Sequence, residues 1–413
     1  MQYGLIGEHL SHSYSRQIHE QLADYRYELL ELTPEQVAPF LAARAFRAIN
    51  VTIPYKQAVI PYLDEISDTA RRIGAVNTIV NRNGRLYGDN TDFAGLSALL
   101  DRMGLCLKGK KVLILGTGGT SKTARAVAAS KGAAQILRVS RSAGGDDVIP
   151  YAQALASHTD AQILINTTPV GMYPKQDACP IAPDAFPRLE GVADAIYHPL
   201  RTDLVLLAQK RGIRAQGGLY MLAAQAAAAS AVFLGKTPQP QQAERAYAEV
   251  LRETQNLVLI GMPTSGKTTV GRALAERSGK RFFDVDELLT AKLGMSIADF
   301  FARSGEDAFR ALEQETIRAL GTETGCVIAT GGGVILREEN LHRLRRNGCL
   351  IFLDRAPEKL FAAADRPLSS SRDALMQRYR ERYDLYRAAA DLHIDANGCV
   401  DAVVQAIEKE LQA

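Results

Sequence analysis

The chain has 413 residues, 46% of them apolar and 23% charged, with a formal net charge of +3. At roughly 100–200 residues per domain this length predicts two or three domains, and the composition excludes wholesale disorder. A net charge so small and so scattered does not mark a nucleic-acid binder, although local basic residues can still serve anionic small molecules. The five cysteines, at 106, 179, 326, 349 and 399, form no CxxC pair and are odd in number. Neither a disulfide framework nor a zinc site is expected, and a reducing cytoplasm fits. The opening residues, MQYGLIGEHLSHS, lack the basic start and apolar core of a signal peptide. The most apolar stretch, 219–234, is Ala-rich, carries Gln225 and Ser230 and is too short to span a bilayer, so it reads as a buried helix and no membrane role is expected.

In chain order, the first 100 residues place polar clusters on turns. SHSYS offers Ser13 and Ser15, hydroxyls suited to a carboxylate; INVTIPYK offers Asn50, Thr52 and Lys56; GAVNTI offers Asn77; GDNTDFAG offers Asp92. Lys56 and Asp92 read as a proton-handling pair, because hydride delivery to a carbonyl leaves an alkoxide that needs a proton. The plainer reading of the same two residues is a structural ion pair. Short apolar runs at 112–115, 136–139, 163–165, 257–260, 327–329 and 350–353 predict buried parallel strands separated by amphipathic helices, hence α/β layers. No repeat of 20–50 residues is visible.

VLILGTGGTSKTARAV is a strand, a glycine turn and a helix. Gly116, Gly118 and Gly119 permit close backbone approach to a pyrophosphate, but Ser121 breaks the strict G-x-G-x-x-G pattern. The next strand ends in Ser140, Arg141 and Ser142 with no carboxylate for a ribose 2′-hydroxyl, and Arg141 can pair with a 2′-phosphate. NADP is therefore expected over NAD. The Pro/Gln tract 236–242 resembles a linker, but 243–253 after it reads as an amphipathic helix, so the main boundary falls near 254.

VLIGMPTSGKTT then supplies strand, G-x-x-x-x-G-K-T and helix, a phosphate cradle. Gly261 and Gly266 shape the loop, Lys267 reaches the β- and γ-phosphates, Thr268 can ligate Mg²⁺, and Thr269 follows it in the ATP site. FFDVDELL puts Asp284 and Asp286 just past a strand, one to orient Mg²⁺ through water and the other a substrate hydroxyl. GEDAFRALE places Arg310 on a helix as a carboxylate fork, and RERYDLY offers Arg382 as a second. ATGGGVI sets Gly331, Gly332 and Gly333 beyond a strand, where backbone can meet a ligand. ADRPL puts Arg366 in a lid, able to stabilise charge on a transferring phosphoryl group.

Residues 256 to about 395 resemble shikimate kinase through these motifs in this order. The resemblance implies that Asp286, Arg310, Gly332, Gly333 and Arg382 hold shikimate, that Arg366 reaches in from the lid, and that Asp286 takes the 3-hydroxyl proton. The stretch EKLFAAADRPL departs from the family: it is short and lacks an arginine expected several residues before Arg366. Residues 1–254 resemble shikimate dehydrogenase through HSxS, NVTxPxK, the GAVNT–GDNTD pair, the offset glycine turn, NTTPVGM, YHPLRT and GGLYMLAAQA. That resemblance implies a Lys56–Asp92 catalytic dyad, with Ser13, Ser15, Thr52, Asn77, Asp92, Tyr197 and Gln225 around the substrate. Thr167 and Met172 are implied near the cofactor. Two departures are Arg16, where the family has proline, and TSKTA, which brings Lys122 near the phosphates.

The implied architecture is a substrate-binding α/β domain (1–101 and 218–254), a Rossmann-type NADP domain (102–217) and a P-loop kinase α/β domain with a parallel sheet (255–413). The expected activity is bifunctional: 3-dehydroshikimate plus NADPH gives shikimate, and ATP with Mg²⁺ then gives shikimate 3-phosphate. The rival expectations are an NAD-preferring quinate/shikimate dehydrogenase fused to a P-loop small-molecule kinase, or a regulatory protein that only binds such ligands.

Overall fold

All five residues of the first strand, β1 (Tyr3–Gly7), are buried, as an inner strand covered on both faces requires. The computed structural model describes residues 1–10, 13–145, 147–360 and 372–412, in two compact units, Met1–Leu251 and Arg252–Ala413. β1 pairs in parallel with β2 (Tyr27–Glu31) and β3 (Ala48–Val51) through the crossovers α1 (Ser15–Leu22) and α2 (Pro34–Ala43). A capping box between Thr33 and Gln36 starts α2. β4 (Glu65–Ile66) and α3 (Asp68–Ile73), capped by the Ser67 side chain, come next. The sheet then turns antiparallel. β5 (Thr78–Arg82) and β6 (Arg85–Asp89) form a hairpin whose turn residues Asn83 and Gly84 have φ of 54° and 85°, the backbone that Asn-Gly favours. The sheet order is β2-β1-β3-β5-β6-β4, and α4 (Asp92–Arg102) leaves it.

A second, wholly parallel sheet follows in the order β12-β11-β10-β7-β8-β9. Its elements are β7 (Lys111–Leu115), α5 (Gly119–Ser130), β8 (Gln135–Ser140), β9 (Val148–Pro150), α6 (Tyr151–Ser157), β10 (Ile163–Asn166), β11 (Gly191–Asp194), α7 (Asp203–Lys210) and β12 (Arg214–Gln216). Alternation along β7 sends Val112 and Ile114 into one core and Leu113 and Leu115 into the other. The order reverses between β7 and β10, which makes their carboxyl ends the crevice of this sheet.

α8 (Leu219–Leu234) is apolar nearly all round and accordingly buried. It packs on α4, α1, β3 and β5. The crossing with α4 is close because Gly95 has no side chain: a Cβ there would lie 2.6 Å from the Met221 carbonyl oxygen and 2.8 Å from Gln225 Cβ. α9 (Pro240–Thr254) begins inside the Pro/Gln tract, with proline in its first position. The tract, linker-like in composition, is thus partly helix.

The second unit is a five-stranded parallel sheet ordered β14-β15-β13-β16-β17. It runs β13 (Asn256–Ile260), α10 (Lys267–Ser278), β14 (Arg281–Asp284), α11 (Val285–Leu293), α12 (Ile297–Leu320), β15 (Cys326–Ala329), α13 (Glu338–Arg345), β16 (Gly348–Asp354), α14 (Arg372–Ala389), β17 (Leu392–Asp395) and α15 (Val400–Gln412). Val258 and Ile260 face a core closed by α11 to α14, while Leu257 and Leu259 face α10 and α15. Gly305, at φ 79° and ψ 175°, kinks α12. All six apolar runs lie in parallel strands, and 219–234 is the buried helix that its composition predicts. Among the described residues no helix is long and apolar enough to cross a membrane.

Two outcomes follow from this packing. Gly95→Ala places a methyl against helix backbone that cannot rotate away, so it is expected to destabilise the first unit by about 1–3 kcal/mol despite the better helix propensity of alanine. The midpoint of urea unfolding measures it, and an unchanged midpoint would mean that α4 and α8 shift freely.

His19 is stacked on Tyr27 at 4.1 Å, its Nδ1 lies 2.7 Å from the Tyr25 hydroxyl, and burial pushes its imidazole down to about 3. The unfolded chain binds a proton below about pH 6.5 that the fold refuses, so stability falls on acidification from there. The loss is on the order of 3 kcal/mol by pH 4. Asp194, raised by burial to about 6, works in the opposite direction, since the fold holds its proton more tightly than the unfolded chain. The His19 contribution is therefore the difference in acid slope between wild type and His19→Phe. Equal slopes would contradict it.

Candidate active sites

In the first unit one buried side chain gathers the polar cluster. Asn77, 2% exposed, ends the segment leading into β5. Its Nδ2 donates to Asp92 Oδ1 at 2.9 Å and to Gln225 Oε1 at 3.0 Å, and its Oδ1 accepts from the Thr91 amide at 2.7 Å. Lys56 Nζ donates to the other Asp92 oxygen at 2.6 Å. Asp92 opens α4, where the helix dipole favours its negative charge. The Lys56 carbonyl is itself tied to the Val76 amide, so the backbone on both sides of the pair is fixed.

Both Asn77 donor hydrogens are thus used. A ligand bond from this amide has to displace Gln225 or Asp92. Lys56, Asn77, Asp92 and Gln225 form one bonded chain, and Ser13, Ser15 and Thr52 lie outside it. The Ser15 amide donates to Ser13 Oγ at the start of α1, and Thr52 pairs through its backbone with Ile6. Tyr197 packs at 5.7 Å on Tyr14. Burial raises both phenols, Tyr14 to about 12, so both remain hydroxyl donors at neutral pH. Asn50 is structural: it accepts from the Tyr27 hydroxyl and donates to the Asn77 carbonyl and to Thr78 Oγ1.

At the crevice of the second sheet, Gly116 has φ 109°, and a Cβ there would meet Thr167 Oγ1 at 2.8 Å. Thr167 Oγ1 donates to the Leu115 carbonyl, which locks the ends of β7 and β10 together. Ser121, at the position of the missing third glycine, donates its hydroxyl to the Gly116 carbonyl at 2.7 Å and so closes the turn by another route. Gly118 and Gly119 have open space where a Cβ would be. A pyrophosphate fits there, over the amides at the N-terminus of α5. Ser140 ends β8, Arg141 beyond it is exposed, and Met172 is 44% exposed. All are open to a dinucleotide.

In the second unit Gly261 (φ 150°) and Gly266 (φ 95°) shape the loop between β13 and α10. Lys267 Nζ donates to the Gly261 and Met262 carbonyls at 2.9 and 2.8 Å. Thr268 Oγ1 donates to Asp284 Oδ2 at 2.6 Å, while Asp284 Oδ1 caps α11 through the amides of Asp286 and Glu287. This hydroxyl–carboxylate pair beside a phosphate loop fits Mg²⁺, with Asp284 acting through water. Thr269 follows in the first turn of α10.

A cavity of about 540 Å³ opens nearby, lined among others by Asp286, Arg310, Gly332, Gly333, Arg378 and Arg382. A Cβ on Gly333 would fall 2.2 Å from Arg310 Nη1, so this glycine is what admits the guanidinium. Arg382 Nη1 and the Tyr386 hydroxyl both donate to the Gly332 carbonyl, turning that peptide toward α14. Arg310 does not stand alone as its sequence position suggests. Its Nη1 donates to Glu313 at 2.9 Å, and its Nε and Nη2 donate to Glu306. Burial raises the Glu313 carboxyl against the pull of Arg310. Its spacing of three residues from Arg310 on one helix is the signal that reveals it. Arg366 lies outside the described residues.

Two family models match the chain: the shikimate dehydrogenase substrate binding domain over residues 5–79 and shikimate kinase over residues 263–412. The chain is 37% identical over 245 residues to a shikimate dehydrogenase (NADP(+)) of Clostridium beijerinckii, an alignment covering 56% of this chain and 91% of the relative. It is also 37% identical over 271 residues to the enzyme of that name from Geobacillus kaustophilus, covering 60% and 98%. Among solved structures, the shikimate 5-dehydrogenase of Thermus thermophilus in complex with NADP(H) and shikimate superposes with a TM-score of 0.55 at 31% identity, covering 60% of this chain and 99% of that one.

Proposed function

Through its first unit the chain belongs to the shikimate dehydrogenase family and through its second it carries a shikimate kinase domain, and from that premise we propose how its residues perform two consecutive reactions on one carbon skeleton. The first unit reduces 3-dehydroshikimate to shikimate. NADPH, held over Gly118 and Gly119 with Arg141 toward the 2′-phosphate, supplies the hydride. Lys56 gives a proton to the alkoxide oxygen formed from the substrate carbonyl and regains one through Asp92 and solvent. The 2.6 Å Lys56–Asp92 contact carries this reading. Asp92 is held on the far side by Asn77, so the carboxylate keeps the ammonium aimed. Ser13 and Ser15 offer hydroxyls to the substrate carboxylate. Thr52, Gln225 and Tyr197 complete its surroundings, and Thr167 and Met172 border the cofactor.

The second unit phosphorylates the 3-hydroxyl of shikimate. The loop amides and Lys267 hold the ATP phosphates. Thr268 and Asp284 would hold Mg²⁺, which when bound would supply positive charge beside the phosphates. Asp286 orients the 3-hydroxyl and accepts its proton as the bond from oxygen to the γ-phosphorus forms and the bond to ADP breaks. Arg310, Gly332, Gly333 and Arg382 form the wall against which the sugar-like ring sits. The five cysteines, none of them in a disulfide among the described residues, suit a reducing cytoplasm.

Steady-state assays of the purified full chain test both halves. Lys56→Ala is expected to lower NADPH-dependent reduction of 3-dehydroshikimate by about 10³-fold or more and to leave ADP formation from shikimate unchanged. Lys267→Ala is expected to do the reverse. Survival of both activities in both variants contradicts the assignment. A wild-type preference for quinate with NAD would replace the first half of the reading by the quinate alternative.

A further inference from the structure

β16 carries a second basic side chain to the phosphate loop. Gly261 makes the approach possible: a Cβ there would lie 2.9 Å from the Leu353 carbonyl oxygen, so the loop begins in contact with the end of β16. Arg355 is the residue that follows this strand. Its Nη1 lies 3.6 Å from the place that a Cβ on Gly266 would occupy, beside the N-terminus of α10. Its Nε is enclosed and has no hydrogen-bond partner among the described residues. Asp354, the adjacent carboxylate, accepts instead from the Tyr383 hydroxyl at 2.9 Å. Asp284 meets the loop from β14, which lies on the opposite side of β13 in the sheet order. The backbone around Arg355 is fixed all the same. The Ala356 amide donates to Asn397 Oδ1 at 2.9 Å, and Lys359 Nζ donates to the Asn397 carbonyl at 2.9 Å.

From this arrangement we infer that Arg355 is a further nucleotide-binding residue of the second unit, holding the phosphate chain of ATP from the β16 side of the loop. The inference rests on the kinase reading above. Positive charge collects at this point from three sources: the Lys267 ammonium on its two neutral carbonyls, the positive end of the α10 dipole, and the Arg355 guanidinium. An enclosed donor without an acceptor is costly to a fold, and a phosphate group arriving between these charges relieves that cost. The planar fork of a guanidinium matches phosphate oxygens in geometry as well as in charge. No motif of the sequence points to Arg355. It reaches the loop only because β16 pairs directly with β13, a neighbour relation that the order of residues does not display.

The test uses two substitutions in the full-length protein. Arg355→Met keeps an apolar stem and removes the charge, while Arg355→Lys keeps the charge. Arg355→Met is expected to raise both the KM for ATP and the calorimetric Kd for ADP about 10- to 100-fold, the range of a charge-assisted contact, with the KM for shikimate unchanged. Arg355→Lys is expected to recover part of both losses. An unaltered KM and Kd in Arg355→Met overturn the inference. So does an equal rise in the two variants, because a packing role or a contact to the base would not follow the charge. A parallel rise in the KM for shikimate overturns it as well, since it marks general damage to the unit. Wild-type enzyme that forms no ADP with shikimate overturns the kinase reading instead, and that failure is recognised without either variant.

Discussion

The side chain of Asn77 is the joint on which the first unit turns. It touches three elements at once: the turn before α4 through Thr91, α4 itself through Asp92, and α8 through Gln225. A buried amide of this kind is stabilising only when all its positions are filled, and the energy is lost if any one partner moves. That demand explains the close crossing of α4 and α8 at Gly95, since Gln225 reaches Asn77 only if the two helices nearly touch. It also explains why Lys56 faces a carboxylate that is already half satisfied. Asp92 is oriented by the fold before any ligand arrives, so the geometry of the proposed Lys56–Asp92 dyad and folding stability are two aspects of one hydrogen-bonded chain.

The kinase cavity relies on a different constraint, the absence of side chains. Gly333 leaves room for the Arg310 guanidinium, and Gly332 exposes the carbonyl that Arg382 and Tyr386 share. Glycine there is a packing requirement between backbone and arginine. Glu306 and Glu313 then orient the Arg310 guanidinium through hydrogen bonds along α12.

Much of this was legible in the residues. Five of the six apolar runs are buried on both faces of a parallel sheet, which leaves an unmistakable pattern, while 136–139 is only partly buried. The phosphate loop was legible because glycine, lysine and threonine must recur at fixed spacing. The dinucleotide turn was less so, since Ser121 replaces a glycine and works through a hydroxyl bond that no spacing rule encodes. The hairpin at Asn83-Gly84 was not read from the sequence, although the dipeptide carries its signal. The tract at 236–242, linker-like in composition, is partly helical because proline in a first turn begins a helix as readily as it ends one. What spacing could not show is which donors are already spent. Asn50 looked like a site residue and is consumed by Tyr27, Asn77 and Thr78. Arg310 looked like a lone fork and is bonded to Glu306 and Glu313.

The phosphate loop carries a thermodynamic consequence. Lys267 does not project into solvent: its ammonium rests on the carbonyls of Gly261 and Met262, bracing the loop in the curvature that a triphosphate needs. Nucleotide capture is then an exchange of partners. Two charge–dipole bonds are surrendered for bonds to phosphate, and little chain entropy is lost because the loop is already ordered. The affinity of such a site reports the difference between two sets of contacts. Under the proposed kinase reading, the lysine holds carbonyl partners before the nucleotide arrives and takes phosphate partners once it is bound.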